Sequence, residues 1–345
     1  MIYIDRNNQR FGPYDDSALV SYVNSGQLLL CDSAFDNVAG KQTTVRQYLK
    51  EKHLKTKVAH GGSLFSQLKK IGTELLIPKD AFKKSSIITD TRLLLLALVG
   101  LIPSVLGFLP IGGFLVFYMI SLYFATIWGL FFYYFFKTPQ VTIKTTVLVF
   151  FITQAAVFFI WDVLGIPKLN IFYGLIETAF PLTLLGYVLG VGVTEELGKA
   201  IPVYIINRRA KEPLIPQTLV FYGLISGIAF GVFEGVEYQM TINAEQEYTT
   251  SFFLNILRLT SLPFIHAVWC GIAGYFISFA SLYPKYRIAL YFLAIVIPAL
   301  LHGIYDTFCG NLLGSVIALP AMFATVILLN AYLKQGVNYQ SKLRT

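Results

Sequence analysis

The chain has 345 residues, of which 55% are hydrophobic, 15% aromatic and only 13% charged, with a mean hydropathy of +0.63. Soluble domains carry about 25% charged residues, so this composition excludes an ordinary soluble enzyme and indicates a polytopic membrane protein. The net charge of +8 is concentrated just before the first apolar run, where the positive-inside rule requires it, which argues for a membrane-facing segment and against a nucleic-acid surface.

Residues 1–52 read as a small α+β domain. Ile2-Tyr3-Ile4 has the pattern of a strand, Phe11-Gly12-Pro13-Tyr14 that of a turn, and Asp15 to Asn24 that of a helix with acids in its first turn and Gly26 past its end. A second strand near Ser33 to Asp36 and a segment around Val45 to Leu49 complete a unit near the lower size limit for independent folding. The aromatic strand, the Gly-Pro-Tyr step and the helix closed by a glycine and Gln-Leu resemble a GYF-like domain. That resemblance implies a site for an extended or proline-rich peptide on Tyr3, Phe11, Tyr14 and Tyr22, although this segment has no tryptophan. No basic stretch leads into an apolar one at the N-terminus, so no cleavable signal peptide is expected and the domain is placed in the cytoplasm.

Residues 53–91 form a basic linker. Positions 52–92 hold nine Lys or Arg against three acids. Leu64, Leu68, Ile71 and Leu75 recur at helical spacing with Lys69 and Lys70 on another face, which predicts an amphipathic helix in the headgroup region with anionic lipid as its partner. The three cysteines, Cys31, Cys270 and Cys309, are far apart and lack CxxC spacing, which argues against a disulfide framework and a thiolate metal site.

Residues 92–334 contain eight runs of the length a bilayer core demands, at 92–110, 113–136, 143–163, 180–206, 217–240, 255–280, 288–308 and 313–333, with 171–179 as an interfacial lead-in to the fourth. Connections rich in Lys and Arg alternate with short or acidic ones, and 335–345 is a basic tail, so both termini are expected in the cytoplasm. The fold class is therefore an all-α polytopic membrane protein of about eight transmembrane helices behind a small α+β cytoplasmic domain.

Charged side chains inside these runs carry the functional signal, since each costs about 3 kcal/mol near the bilayer centre on insertion scales. Glu195, Glu196 and Lys199 lie in the fourth run, Glu234 in the fifth, His266 in the sixth, and His302 and Asp306 in the seventh. At about 1.5 Å per residue, Glu195 falls about 17 Å, Glu234 about 25 Å and both histidines about 21 Å from the cytoplasmic ends of their helices, which places them in one layer. Glu195 and Lys199 share a face, with Glu196 about 100° away; Glu234 shares one with Phe230 and Tyr238, and His302 shares one with Asp306. Gly192, Gly198, Gly231, Gly271 and Gly303, with Pro202, Pro263 and Pro298, mark helices that pack closely or bend near that layer.

Glu195-Glu196-x-x-Lys199, Phe230-xxx-Glu234-xxx-Tyr238, His266 with Trp269, and His302-xxx-Asp306 resemble the PrsW family of intramembrane proteases, within the wider CAAX-protease and bacteriocin-processing group. The resemblance spans about residues 180–310. It implies hydrolysis of a membrane protein substrate in a bacterial cell membrane. On this view Glu195 is the general base beside Glu196, Lys199 keeps one of the pair ionised, Glu234, His266 and His302 form a ligand set suited to zinc, and Asp306 orients His302 or helps hold the oxyanion. A metal-free version, in which Glu195 and His302 activate water directly, stands beside it. Two other classes use intramembrane acids and histidines or a recruiting domain: a proton- or cation-coupled transporter and a catalytically silent scaffold. The first commonly shows inverted repeats, and no second copy of the EExxK or HxxxD segment occurs.

Overall fold

The computed structural model describes residues 1–6, 9–57, 61–76, 114–310 and 312–341. The N-terminal unit is a four-stranded antiparallel sheet in the order β2-β1-β3-β4, built from β1 (Ile2–Arg6), β2 (Gln9–Tyr14), β3 (Ser33–Asp36) and β4 (Lys41–Thr44). Helices α1 (Asp16–Asn24) and α2 (Val45–Glu51) pack on it. Alternation along β1 sends Ile2 and Ile4 into a core with Leu19, Ala34, Val45 and Tyr48. Asp15 caps α1 by accepting the Ala18 N–H at 2.7 Å, and Thr44 caps α2 through Gln47 N–H at 3.2 Å.

The expected turn at Phe11–Tyr14 is instead the second half of β2. Gly12 has φ +115, a conformation that glycine adopts without strain, and the β1–β2 register shifts beside it, between Ile2 and Ile4. The domain touches the membrane part through Arg46 Nη1, which donates to the Lys211 carbonyl at 3.4 Å, and Thr44 Oγ1, 3.5 Å from Glu212.

Helix α3 (Leu64–Ile71) runs into a π-helical turn, Gly72–Leu76. The amphipathic pattern is there, and the C-terminal half of its apolar stripe meets protein: Ile71 and Leu75 are fully buried in the main core, while Leu64 and Phe65 are exposed. Tyr332 OH and Gln335 Nε2 donate to the Leu76 and Leu75 carbonyls at 3.0 and 3.3 Å. An amphipathic stripe reads the same whether lipid or protein covers it.

The membrane part comprises α4 (Phe114–Phe136), α5 (Ile143–Phe158), the short α6 (Ile166–Leu169) and α7 (Leu182–Leu185), then α8 (Val193–Arg209), α9 (Pro216–Met240), α10 (Tyr248–Leu282), α11 (Arg287–Cys309) and α12 (Leu312–Val337). Among the described residues six helices are long and apolar enough to cross a membrane: α4, α5 with its π-helical extension to Val163, α9, α10, α11 with the turn before it, and α12. Of the eight expected spans, 92–110 lies outside the described residues. The span expected at 180–206 is helical from Leu182 to Arg209, with a π-helical stretch at Gly186–Gly192, but Glu195, Glu196 and Lys199 keep it out of the apolar set. The lead-in expected at 171–179 is a 3-10 turn, Ile171–Leu175, which lies against that π-helical stretch: a Cβ on Gly190 would stand 3.0 Å from Tyr173 N.

Helices α9 and α10 form the axis of the bundle, and their most apolar stretches are almost wholly buried. Gly223, Gly227 and Gly231 recur every fourth residue on α9 and bring its backbone onto that of α10 at Cys270, His266 and Leu262. That contact sets the position of His266.

Candidate active site

Four helices deliver the seven charged or ionisable side chains to one buried cluster. Glu195 and Glu196 sit in the first turn of α8, where the π-helical stretch gives way to α-helix; such π turns frequently occur at functional sites. Asn170 anchors that junction: its Nδ2 donates to the carbonyls of Leu189 at 2.9 Å and Gly190 at 3.1 Å and to Thr194 Oγ1 at 3.0 Å. Nothing in the spacing of the sequence marks Asn170.

Lys199 is the hub and is fully buried. Its Nζ lies 2.6 Å from Glu196 Oε1, 3.7 Å from Glu195 Oε2 and 2.8 Å from His266 Nδ1, and stands 4.4 Å from the centre of the Phe230 ring. Glu195 and Lys199 therefore do meet, as expected. Glu196 is not turned away from them. Positions i and i+3 are also neighbours on a helix, and the long lysine side chain reaches both carboxylates.

His266 Nε2 lies 2.5 Å from Glu234 Oε2. Its Nδ1 faces the buried Lys199 ammonium, so the ring lies between Lys199 and Glu234. His302 is held from both sides: Nδ1 is 3.0 Å from Glu196 Oε1, and Nε2 is 3.1 Å from Asp306 Oδ2 and 3.7 Å from Glu195 Oε2. The Trp269 ring stacks on His302 with centroids 4.1 Å apart, and the two imidazole rings are 5.3 Å apart.

A cavity of about 400 Å³ opens onto this cluster between α10, α11 and α12. Glu234, His266, His302 and Asp306 line it, with apolar walls from Leu257, Leu319 and Phe323. Glu195 and Glu196 lie behind that lining. Tyr238 and Arg258 are further polar groups in the cavity wall; Arg258 carries no motif and is visible only once α9 and α10 are packed.

The group whose ligand atoms come together is Glu195, His266 and His302, all buried, with those atoms within 4.8 Å of one another. The expected set of Glu234, His266 and His302 shares both histidines with this group, and Glu234 is bonded to His266 Nε2 at 2.5 Å. The residues present fit a zinc ion. Two imidazoles and a carboxylate are a common donor set for it, and Glu195 Oε2 is a buried oxygen with no hydrogen-bond partner. The cluster also gathers four carboxyl groups, those of Glu195, Glu196, Glu234 and Asp306, and oxygen donors of this kind suit a divalent cation.

Membrane-length helices around a buried carboxylate–histidine centre that opens on a lined cavity define a polytopic membrane protein with the equipment of a hydrolase. The sequence profile of the PrsW family intramembrane metalloproteases matches residues 113–331, most of the chain, and the chain belongs to that family. Comparison with curated proteins and with solved structures finds no match.

Proposed function

We propose that the chain is a zinc-dependent intramembrane peptidase acting on membrane-associated protein substrates. The observation that carries this reading is the Glu195, His266 and His302 group, three buried donors from three helices beside a cavity large enough for a peptide. These residues would hold the ion. Bound there, zinc supplies a Lewis acid that activates water and polarises the scissile carbonyl.

The chain's own residues divide the remaining work. Glu234 opens on the cavity and accepts the proton from the attacking water, then returns it to the leaving amine. Glu196 fixes the His302 ring through Nδ1, the carboxylate–histidine arrangement that orients metal ligands. Lys199 neutralises Glu196 and hydrogen-bonds His266. Asp306 steadies His302 from the cavity side. Apolar walls limit bulk water, which strengthens each of these interactions.

One observation favours a metal-free alternative: all four ring nitrogens of His266 and His302 already face protein groups. In that version Glu195, whose Oε2 has no hydrogen-bond partner, takes the proton from water directly. Chelation decides between the two. Hydrolysis of a single-span peptide in detergent falls at least tenfold on metal removal and returns with zinc under the zinc reading; full activity after exhaustive chelation leaves only the metal-free one. Ion flux through reconstituted protein without cleavage would favour a transporter over both.

The same proposal places both termini in the cytoplasm, the basic linker against anionic lipid, and an extended peptide on the N-terminal domain, where Phe11 is exposed on the edge strand β2 and Tyr14 packs edge-on against Tyr22.

A further inference from the structure

The cavity follows one stripe of α10. Leu254, Leu257, Arg258, Ser261, Ile265 and His266 line it at helical spacing, so it extends as a trough along the helix and is more than a pit over the histidines. Arg258 is the one Lys or Arg among the described lining residues. A cation in a membrane-length helix is costly unless something uses it.

Arg258 is held in place by uncharged groups. Its guanidinium stacks 3.8 Å above the centre of the Tyr238 ring, and Nη1 donates to Asn243 Oδ1 at 3.1 Å. Asn243 is in turn fixed by its Nδ2, which donates to Asn255 Oδ1 at 2.8 Å. Among the described residues Arg258 forms no ion pair with a carboxylate. The acids that share its cavity, Glu234 and Asp306, are paired with His266 and His302 instead. A guanidinium oriented by an aromatic face and an amide, with donors to spare, is an anion receptor prepared in advance.

Eight residues separate Arg258 from His266, about 12 Å along the helix at 1.5 Å per residue. An extended peptide advances about 3.3 Å per residue, so that distance spans three or four residues. We propose that Arg258 is a specificity-determining subsite: it binds an acidic side chain three or four residues from the scissile bond of a peptide extended along α10. This rests on the peptidase reading for the position of the scissile bond, and on the cavity alone for the binding of the acid.

The test uses the full chain in detergent and a set of fluorescein-labelled apolar peptides that differ at one position, scanned along the peptide, carrying Glu, Gln or Lys. Anisotropy gives Kd and mass spectrometry scores cleavage. The unaltered chain is expected to bind a Glu peptide about tenfold more tightly than its Gln counterpart at one position, a difference of about 1.4 kcal/mol. Arg258→Gln erases that difference while leaving the Kd of the Gln peptide unchanged, which also shows that the variant is folded; Arg258→Glu turns the preference toward the Lys peptide. Equal binding of Glu and Gln peptides at every position overturns the proposal, as does a preference that survives Arg258→Gln, or a loss of affinity for all peptides alike. A preference for Glu that depends on Arg258, in a protein that cleaves no peptide, upholds the subsite and counts against the peptidase reading.

Discussion

Glu196 Oε1 lies 3.0 Å from His302 Nδ1 and 2.6 Å from Lys199 Nζ, so one buried carboxylate joins α8 to α11 and carries the counter-charge of the lysine. Removing it leaves the buried ammonium with only the longer carboxylate contact, to Glu195 at 3.7 Å. Glu196→Ala is expected to cost about 3–5 kcal/mol in denaturant unfolding, whereas Glu196→Gln combined with Lys199→Met, which removes both charges, costs less than either change alone. Additive losses in that cycle would show that the pair is not coupled.

The approach of α9 to α10 sets His266, and Gly227 is the point of contact: a Cβ there would run into the His266 carbonyl oxygen. Gly227→Ala is expected to destabilise by about 1–3 kcal/mol, as overpacking does, and to lower activity by displacing the Glu234–His266 bond. Gly129→Ala is the control, since its Cβ would meet only Ile225 Cδ1 at 4.0 Å. Equal stability and activity of the two variants would contradict the packing argument.

Cys309 is exposed and lines the cavity beside Asp306, while Cys270 is buried and Cys31 is half-buried. A bulky maleimide is therefore expected to label Cys309 first and to block hydrolysis, and Cys309→Ser is expected to be resistant. Inhibition that persists in Cys309→Ser would place the access route elsewhere.

Zinc held as proposed by Glu195, His266 and His302 would compete with protons for the same atoms. Bound zinc displaces protons, so its affinity falls as pH falls, and the rise in Tm caused by zinc is expected to shrink between about pH 8 and pH 5. A zinc-induced shift that does not change over that range would argue against histidine ligation.

The charged cluster was legible in the sequence because lipid is intolerant of charge: Glu195, Glu196, Lys199, Glu234, His266, His302 and Asp306 stood out from apolar runs, and helix geometry alone put them at one depth. The same argument misjudged Glu196, since helical angles ignore the reach of the Lys199 side chain. Partnerships across helices were not legible at all. Asn170, the Arg258–Tyr238 stack and the grouping of Glu195 with the ligand atoms of both histidines depend on packing angles and on a π-helical stretch that no residue pattern announces. The span expected at 180–206 is helical but stands outside the apolar set, because the charges that reveal the site also lower the hydropathy of the helix that carries it.

The central claim is that this buried cluster cleaves peptide bonds within the membrane part of a substrate. Incubation of a single-span peptide with the unaltered chain and with Glu195→Gln, followed by mass spectrometry of the products, tests it most directly. Cleavage inside the apolar span is expected with the unaltered chain, and at least about a hundredfold less with a Glu195→Gln variant of similar Tm. An intact peptide with the unaltered chain, or equal cleavage by the two proteins, would contradict it.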